Sequence, residues 1–488
     1  MKTNRVIKIF LASSEELEAD RYRFGNLIRK LDNIYEKRGI RIELFEWEDY
    51  DAAYNGMRKQ DEYNERVRAS DMFLALFHKK AGKFTIEEFN IARKAFDEQA
   101  SPKIYTYIKD LEAGESESRE LAEFKRLMLE ELGHYWCRYS NFDTMQLHFV
   151  LQLQMVEATT PIKVEVKESQ VKIGDSTIAD LNNVPFTSEN ATHRELQSRK
   201  EQLDREIGNA ESGGRRGFFG QRSRMTDEEL ANLREERESV TEQIERQEKA
   251  LVDTAMSIAR MQGGECSPRM RTAAELFEKG EIDKAEAVLK EDDMEADATN
   301  AKLKFDTAAQ PTAELTRNIE RCAGEYMLKA RIVVSGIADE SRYRQAVKLM
   351  STAIDLVSGR LPEETLAEYL FDYAVLLTDT GQQTKALETW ERLSGIYERL
   401  YRKAPQKYAY GYAGVLNNMA VLYSDKGDFD HCLSKYLKAI DIYDWLDREE
   451  PGIYDDDIAR LKNNLGTLYS DRDEYNKALS EFNEAARI

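Results

Sequence analysis

The chain is poor in proline and cysteine, with 8 prolines and 4 cysteines in 488 residues. Because proline breaks the interior of helices, its scarcity favours a helix-rich protein. The cysteines lie far apart and lack the spacing of a zinc site or a disulfide framework. We therefore expect no metal site and reduced thiols in a cytoplasmic protein; the thiols are Cys137, Cys266, Cys322 and Cys432.

Long hydrophobic runs and an excess of basic residues are also missing. No stretch approaches the ~20 apolar residues that a membrane-spanning helix needs, so no membrane span is expected. The net charge of -20 and the pI near 5.0 argue against duplex nucleic acid as the main partner, since phosphate binding needs a basic surface. The apolar segment 6–12 is too short for a secretory signal and is interrupted by Lys8, which indicates a buried strand.

Apolar, strand-like segments alternate with helical patterns through the first third of the chain. Helices separate the predicted strands, which are 6–12, 42–45, 72–77, 104–108 and 135–139. This alternation predicts a flavodoxin-like, doubly wound parallel sheet with right-handed crossovers, in a domain that spans residues 1–158. The whole chain is thus predicted to combine an α/β domain with all-α regions.

Two acidic residues, Glu87 and Glu88, lie near the start of the helix that follows the third predicted strand. In an open parallel sheet, ligands bind beyond the carboxyl ends of the strands, one loop away from this pair. Two interpretations are open. The carboxylates take part in chemistry, or Thr85 and Glu88 form a Thr-x-x-Glu capping box that satisfies amides at the helix start.

Several short motifs of this domain resemble those of TIR-like domains, particularly the divergent bacterial ones that are fused to repeat arrays. The matching segments are residues 10–14, the loop 47–49 with Gly56, Tyr63 and Asn64 with Val67 and Ser70, and residues 84–89. Glu88 takes the place of the glutamate in the Trp-Cys-x-x-Glu element of the family, although Trp and Cys are both replaced here.

The resemblance implies an enzyme that hydrolyses or cyclises NAD, its substrate, without a further cofactor. Glu88 is the implied catalytic carboxylate with Glu87 as the alternative, and Ser13, Ser14 and Trp47 are candidates for orienting the substrate. Cleavage of the bond between nicotinamide and ribose passes through an oxocarbenium-like state that a nearby carboxylate stabilises. Nicotinamide leaves as a neutral group, so no strong general acid is required.

The middle of the chain changes pattern twice. Residues 159–188 alternate apolar and polar positions, which predicts a small β element or an extended linker. Residues 189–260 carry a narrow apolar seam on each of two charged helices, which is typical of a coiled-coil hairpin. Thr226 and Glu229 are spaced as a capping box at the start of the second arm. The Gly/Arg-rich tip, 212–225, is either a partner contact or a mobile turn.

A period of 46 residues organises the C-terminal region, 268–488. Small residues recur at this spacing in two sets, Ala374, Ala420 and Gly466, and Ala386, Cys432 and Ala478. An aromatic residue follows each member of the second set: Trp390, Tyr436 and Phe482. Interhelical turns are expected at Gly381, Gly427 and Asp473, and helix ends at Pro405 and Pro451. The pattern resembles tetratricopeptide repeats with longer helices, since the standard unit has about 34 residues. Earlier units are expected around 273–285 and 342–357.

Repeats of this kind stack into a solenoid whose concave face binds protein segments. We therefore expect a bacterial signalling or immune protein of the anti-phage type, in which the repeats sense a protein or peptide trigger and control the TIR-like domain. Homo-oligomers are expected through that domain or the coiled coil. The alternatives are a non-enzymatic docking module and an enzyme of nucleoside deoxyribosyl transfer. Since no polar helix covers the last pair, we expect the chain to continue beyond Ile488 or a subunit to cover this end.

Overall fold

The computed structural model divides the chain into two compact units. The first contains Met1–Leu151 and Gln170–Val184, and the second contains Gln152–Ser169 and Pro185–Ile488. The structure describes residues 5–37, 39–46, 59–131, 136–156, 163–212, 226–261, 266–336, 339–449 and 452–488.

The first unit alternates strands and helices. Its parallel strands are β1 Arg5–Ser13, β2 Ile40–Phe45, β3 Met72–Phe77, β4 Lys103–Lys109 and β5 Cys137–Tyr139. The helices that follow the strands are α1 Glu18–Glu36, α2 Lys59–Arg68, α3 Lys83–Gln99, α4 Arg119–Arg126 and α5 Phe142–Val156.

The strands form one sheet in the order β2-β1-β3-β4-β5, which confirms the predicted doubly wound topology. β3 lies in the centre and is buried along its whole length, because all of its residues are apolar. In β1, Leu11 lies opposite Leu74 of β3, and Ser13 lies opposite Leu76. The carboxyl ends of β1 and β3 are therefore neighbours, and the loops that follow them meet.

Helices cover both faces of the sheet. On one face, α2, α3 and α4 pack on an aromatic core in which Phe73 contacts Phe10 and Phe89. On the other face, Phe24 of α1 meets Phe149 of α5 edge to face, with 4.7 Å between the ring centroids. This two-sided cover is why the strands are nearly continuous apolar runs.

Short strands follow α5. β6 spans Glu165–Lys167, and the antiparallel pair β7 (Gln170–Ile173) and β8 (Ser176–Asp180) turns at Gly174. The φ of 54° at Gly174 is in the left-handed region that glycine adopts without steric cost. Of the two interpretations of the alternating pattern, the β element is the one confirmed.

Two antiparallel helices, α7 (Ala191–Ser212) and α8 (Asp227–Met261), form the predicted hairpin. Leu203 of α7 packs against Val240 and Ile244 of α8 in the apolar seam. Ion pairs along the rims fix the same register: Arg199–Glu236, Asp204–Arg237 and Glu211–Arg234. The hairpin is thus held by a thin seam and by paired charges, as in a two-helix coiled coil.

The start of α8 is capped as predicted. The Glu229 amide donates to Thr226 Oγ1 at 3.1 Å, and the Thr226 amide donates to Glu229 Oε2 at 2.7 Å. This reciprocal pair confirms the capping box. Residues 213–225, which make up nearly all of the predicted tip, lie outside the described residues.

The remainder of the second unit is helical. The bounds are α6 Pro185–Ser188, α9 Pro268–Glu278, α10 Ile282–Val288, α11 Glu291–Thr307, α12 Ala313–Ser335, α13 Glu340–Val357, α14 Glu363–Asp379, α15 Gln383–Lys403, α16 Pro405–Asp425, α17 Phe429–Glu449, α18 Asp455–Ser470 and α19 Tyr475–Ala485. Successive helices from α12 onward pack as antiparallel neighbours, which confirms the helical repeat. Pro405 opens α16 directly after α15 ends, whereas Pro451 lies outside the described residues. Within the described ranges, no helix is long and apolar enough to cross a membrane.

In four of the helix pairs, the same type of turn connects the two helices. Its central residue has a positive φ: 77° at Gly280, 69° at Gly381, 72° at Gly427 and 60° at Asp473. In each turn the amide of this residue binds the carbonyl three residues back, and the next amide binds the carbonyl five residues back. These are the hydrogen bonds of a left-handed helix C-cap. The turn positions predicted from the 46-residue period are confirmed, including the aspartate.

The two helices of a pair meet at the small residues of the period. Ala420 and Cys432 are fully buried where α16 meets α17, and Tyr436 fills the space behind them. In the last pair Phe482 comes so close to Gly466 that a Cβ atom there would lie 2.7 Å from the ring. Backbone approach, rather than side-chain bulk, therefore sets the geometry of each pair.

α8 is shared by the hairpin and the repeats. Beyond the seam with α7 it packs on α12, where Gln247 Nε2 donates to the carbonyl of Ser335 at 3.4 Å. Two turns further along, Thr254 Oγ1 lies 3.4 Å from the carbonyl oxygen of Arg331. One continuous helix thus connects the hairpin to the repeat core.

Two glycine substitutions, one inside α16 and one in the turn that follows it, test whether this turn requires a left-handed backbone. A Cβ atom added at Gly427 or at Gly414 would have no atom within 4 Å, so the new methyl group meets no neighbour. Gly427→Ala should destabilise the second unit by about 1 kcal/mol, because a left-handed backbone disfavours alanine. Gly414→Ala, inside the helix, should stabilise it by ~0.5–1 kcal/mol. Urea unfolding followed by circular dichroism measures both, and shifts of the same sign would contradict the prediction.

Candidate functional site

The candidate site lies at the carboxyl edge of the five-stranded sheet. β1 ends at Ser13, β3 at Phe77 and β4 at Lys109. Their following loops come together because the strands are parallel and adjacent. Ligands of open α/β sheets bind at this edge.

Arg21 holds the end of β1. The Arg21 side chain is almost fully buried, and its Nη1 donates to Ser13 Oγ and to the Ser14 carbonyl, both at 2.9 Å. Ser13 Oγ therefore accepts from a cation and keeps its own proton available for donation. Both predicted serines are at the expected edge, and Arg21 is the residue that positions them.

Glu16 ties the loops after β1 and β3 together. Its Oε1 accepts from the amides of Lys79 and Lys80, at 3.0 and 3.2 Å, and from Ser14 Oγ at 3.3 Å. A carboxylate bound by two backbone amides is a strong link between segments that are 63 residues apart. Sequence reasoning missed Glu16, since only the fold brings Lys79 to it.

Asp20 joins α1 to the ends of β4 and β5. It is buried, and its Oδ2 accepts from Lys109 Nζ at 2.9 Å and from Tyr139 OH at 3.1 Å. Burial raises the pKa of Tyr139 and the neighbouring Asp20 carboxylate adds to this, so the phenol remains a donor. Sequence reasoning also missed this network, because the sequence pointed to it only through an acidic residue in the first turn of α1.

Charged groups surround the loop that follows β3. His78 Nε2 lies 3.2 Å from Glu115 Oε2, at ion-pair distance but outside hydrogen-bond geometry, and Lys79 Nζ binds Glu115 Oε1. The Lys79 hydrogen bond, above all, holds the pKa of Glu115 below its usual value. The Ser118 amide donates to the Lys79 carbonyl at 2.7 Å. The loop is therefore fixed from two sides.

α3 begins earlier than the capping-box interpretation requires. Gly82 is its N-cap, and the first helical bond runs from the Ile86 amide to the Gly82 carbonyl at 3.0 Å. Thr85 is therefore the third residue of the helix, and its side chain is buried. Of the two interpretations, the Thr85–Glu88 capping box is the one that is wrong, because Gly82 already occupies the cap position.

Glu88 instead lies on the buried side of α3. It shares this side with Thr85, Phe89 and Ala92, at helical spacing, and is 8% exposed. Glu87, half-buried, accepts a hydrogen bond from Asn64 Nδ2 of α2 at 3.3 Å. The two adjacent carboxylates therefore have different surroundings.

The structure places the predicted site residues on adjacent strand–loop–helix segments. Ser13 and Ser14 end β1, whereas Glu87 and Glu88 lie in the second turn of the helix after β3. Trp47, the remaining candidate, lies outside the described residues.

Comparison with known proteins gives little further guidance. No protein-family model and no curated protein matches the chain. Among solved structures, it is similar to BtubC from P. vanneervenii, with 17% identity, a TM-score of 0.32, and 60% of this chain and 90% of that chain covered. It is also similar to the apo form of RapI, with 16% identity, a TM-score of 0.33, and 60% of this chain and 65% of that chain covered. A third similar structure is a signal transduction ATPase with a tetratricopeptide repeat sensor from Pyrococcus horikoshii. Its identity is 11% and its TM-score 0.27, with 99% of this chain and 87% of that chain covered. At these low scores the fold assignment depends on the chain's own geometry.

The Asp20 network yields a stability prediction. Asp20→Asn should lower the free energy of unfolding of the first unit by about 2–3 kcal/mol, because Lys109 and Tyr139 lose a buried charged acceptor. Asp110→Asn is the matched control, since Asp110 pairs with Arg138 at the exposed ends of the same strands and exposed pairs contribute little. Hydrogen exchange of β3 and β4 amides in urea measures both. Equal losses would show that burial does not set the strength of the Asp20 contacts.

Proposed function

We propose that this chain is a bacterial signalling or immune protein in which helical repeats bind an extended protein segment and control a TIR-like domain that cleaves NAD. The resemblance of the N-terminal motifs supports the second part of the proposal. The first part is carried by one observation in the repeats, the amide of Asn417.

Asn417 has a buried amide oxygen beneath an open side of α16. The residue is 9% exposed, and its Nδ2 lies 3.5 Å from Asn418 Oδ1. Its buried Oδ1 has no hydrogen-bond partner in the part of the chain that the structure describes. Leaving such an atom unpaired costs about 1–3 kcal/mol, so a ligand that donates to it gains that energy on binding.

The side of α16 that carries Asn417 is open. One turn before it, a Cβ atom on Gly414 would meet nothing within 4 Å, and one turn after it Val421 is 38% exposed. Asn463, exposed on α18, holds the equivalent position one period later. An amide side chain both donates and accepts, as does a peptide group. Successive first helices therefore offer matching amides to an extended backbone.

Glu88 is the proposed catalytic carboxylate of the N-terminal domain. A carboxylate near the carboxyl edge of the sheet, largely removed from water, stabilises a ribosyl cation more strongly than one in bulk solvent. Glu87 is only half-buried, so its carboxylate is less removed from water and it is the weaker candidate. Ser13, held by Arg21, has a hydroxyl proton available to orient the ribose.

The non-enzymatic alternative has an observation of its own. Phe84, in the first turn of α3, is 57% exposed and lies close in sequence to the two glutamates. A large exposed ring suits a contact with another protein. In this alternative the domain docks to a second copy or to a separate effector.

Glutamine substitutions distinguish the enzyme from the docking module. Glu88→Gln keeps the shape of the side chain but removes the charge, and should lower NAD turnover about a hundredfold or more. Glu87→Gln is the matched control and should retain most of the activity. NAD consumption is measured on the full chain, alone and after forced oligomerisation. If oligomeric wild type leaves NAD unchanged, the enzymatic proposal fails and the docking module remains.

Peptide selection tests the repeats. Peptides chosen from a random displayed library for binding to the full chain should lose about tenfold in affinity for Asn417→Ala, because a lost hydrogen bond is worth about 1–1.5 kcal/mol. Asn300→Ala, at an exposed position of α11, is the control and should bind them unchanged. Titration calorimetry gives the affinities. Peptides that bind the Asn417 variant as tightly as wild type would place recognition elsewhere.

A further inference from the structure

A cysteine, a histidine and a tyrosine contact one another in the first unit, outside the candidate site. Cys137 opens β5, and Tyr107 is its partner in register on β4. His148 of α5 reaches both: its Nε2 lies 3.0 Å from Cys137 Sγ and its Nδ1 lies 3.2 Å from Tyr107 OH. The imidazole therefore bridges a thiol and a phenol.

This arrangement allows the imidazole to take the thiol proton. A neutral imidazole has one donor nitrogen and one acceptor nitrogen. When Nδ1–H donates to the Tyr107 oxygen, Nε2 is the acceptor and faces the thiol. Transfer of the proton from Sγ to Nε2 leaves a thiolate beside an imidazolium that keeps both of its hydrogen bonds. Histidine pairs of this type activate cysteine as a nucleophile.

Other charged and titratable groups lie near Cys137 and His148. Burial raises the pKa of Tyr105 to about 12 and the nearby Cys137 adds to this, so the Tyr105 phenol stays neutral near pH 7. On the neighbouring ends of β4 and β5, Lys109 is bound to Asp20, which also accepts from Tyr139. The thiolate is therefore balanced by the imidazolium.

The other three thiols have different surroundings. Burial raises the pKa of Cys266, and it raises the pKa of Cys322 and of Cys432 to about 11. These thiols remain protonated and slow to react near pH 7. The chain thus contains its own unreactive reference cysteines.

We propose that Cys137 is a peroxide-reactive thiol, and that its conversion to sulfenic acid is a modification of the N-terminal domain. The thiolate sulfur attacks one peroxide oxygen, an S–O bond forms and the O–O bond breaks. The leaving hydroxide takes the proton held by His148, so the products are sulfenic acid and water. Cys137 is 7% exposed and His148 is half-buried, which admits a reagent as small as hydrogen peroxide.

The test treats the reduced full chain with hydrogen peroxide and traps sulfenic acid with dimedone, and peptide mapping by mass spectrometry gives a rate for each cysteine. At pH 7, Cys137 should be labelled at least about tenfold faster than Cys322 and Cys432. His148→Gln should slow Cys137 about tenfold while the other two rates stay the same. Hydrogen exchange of β3 and β4 amides verifies that the variant is folded.

The pH dependence of the wild-type protein gives a second readout that needs no variant. The observed rate of a cysteine that is mostly protonated rises about tenfold for each unit of pH, because its thiolate fraction rises tenfold. The rate of a cysteine that is already a thiolate changes little with pH. Between pH 6.5 and 7.5 the Cys137 rate should rise by less than about threefold. Labelling of Cys137 no faster than that of Cys322, a tenfold rise with pH, or an unchanged rate in folded His148→Gln would each overturn the proposal.

Discussion

The close approach of paired helix backbones is the constraint on which the second unit depends. Two helices approach this closely only where the facing side chains are small, and Ala420, Cys432 and Gly466 supply those positions. A short connection between such helices must reverse direction within a few residues, which the left-handed turn residues achieve. With both conditions repeated every 46 residues, each pair stacks on the next, and α16 keeps one side open at Gly414 and Val421.

Much of the fold could be predicted because local pattern and tertiary environment agree. β3 has the predicted bounds, Met72–Phe77, since an unbroken apolar run flanked by Asp71 and His78 suits a central strand covered on both faces. The turn at Asp473 was predictable from its spacing to Gly427, although aspartate is a less common residue there. Periodicity therefore identified a turn that composition alone would have missed.

The site was less predictable, because its contacts join distant parts of the chain. Tyr139 and Asp20 are 119 residues apart, and no local pattern indicates their hydrogen bond. The start of α3 was misjudged for a different reason. Thr85 has a side chain suited to capping, whereas Gly82 caps the helix through its extended backbone and leaves no side-chain signal. Correcting this start turns Glu88 from a cap residue into a buried carboxylate.

α8 has a mechanical consequence because it is a single helix of 35 residues. At a rise of about 1.5 Å per residue, ~40 Å separates Thr254, which contacts α12, from the first turn of α8. A tilt of about 10° at α12 therefore becomes a displacement of about 7 Å at the far end. α8 therefore has the geometry of a lever with its fulcrum at α12, in which a small change of packing at α12 is amplified along the hairpin.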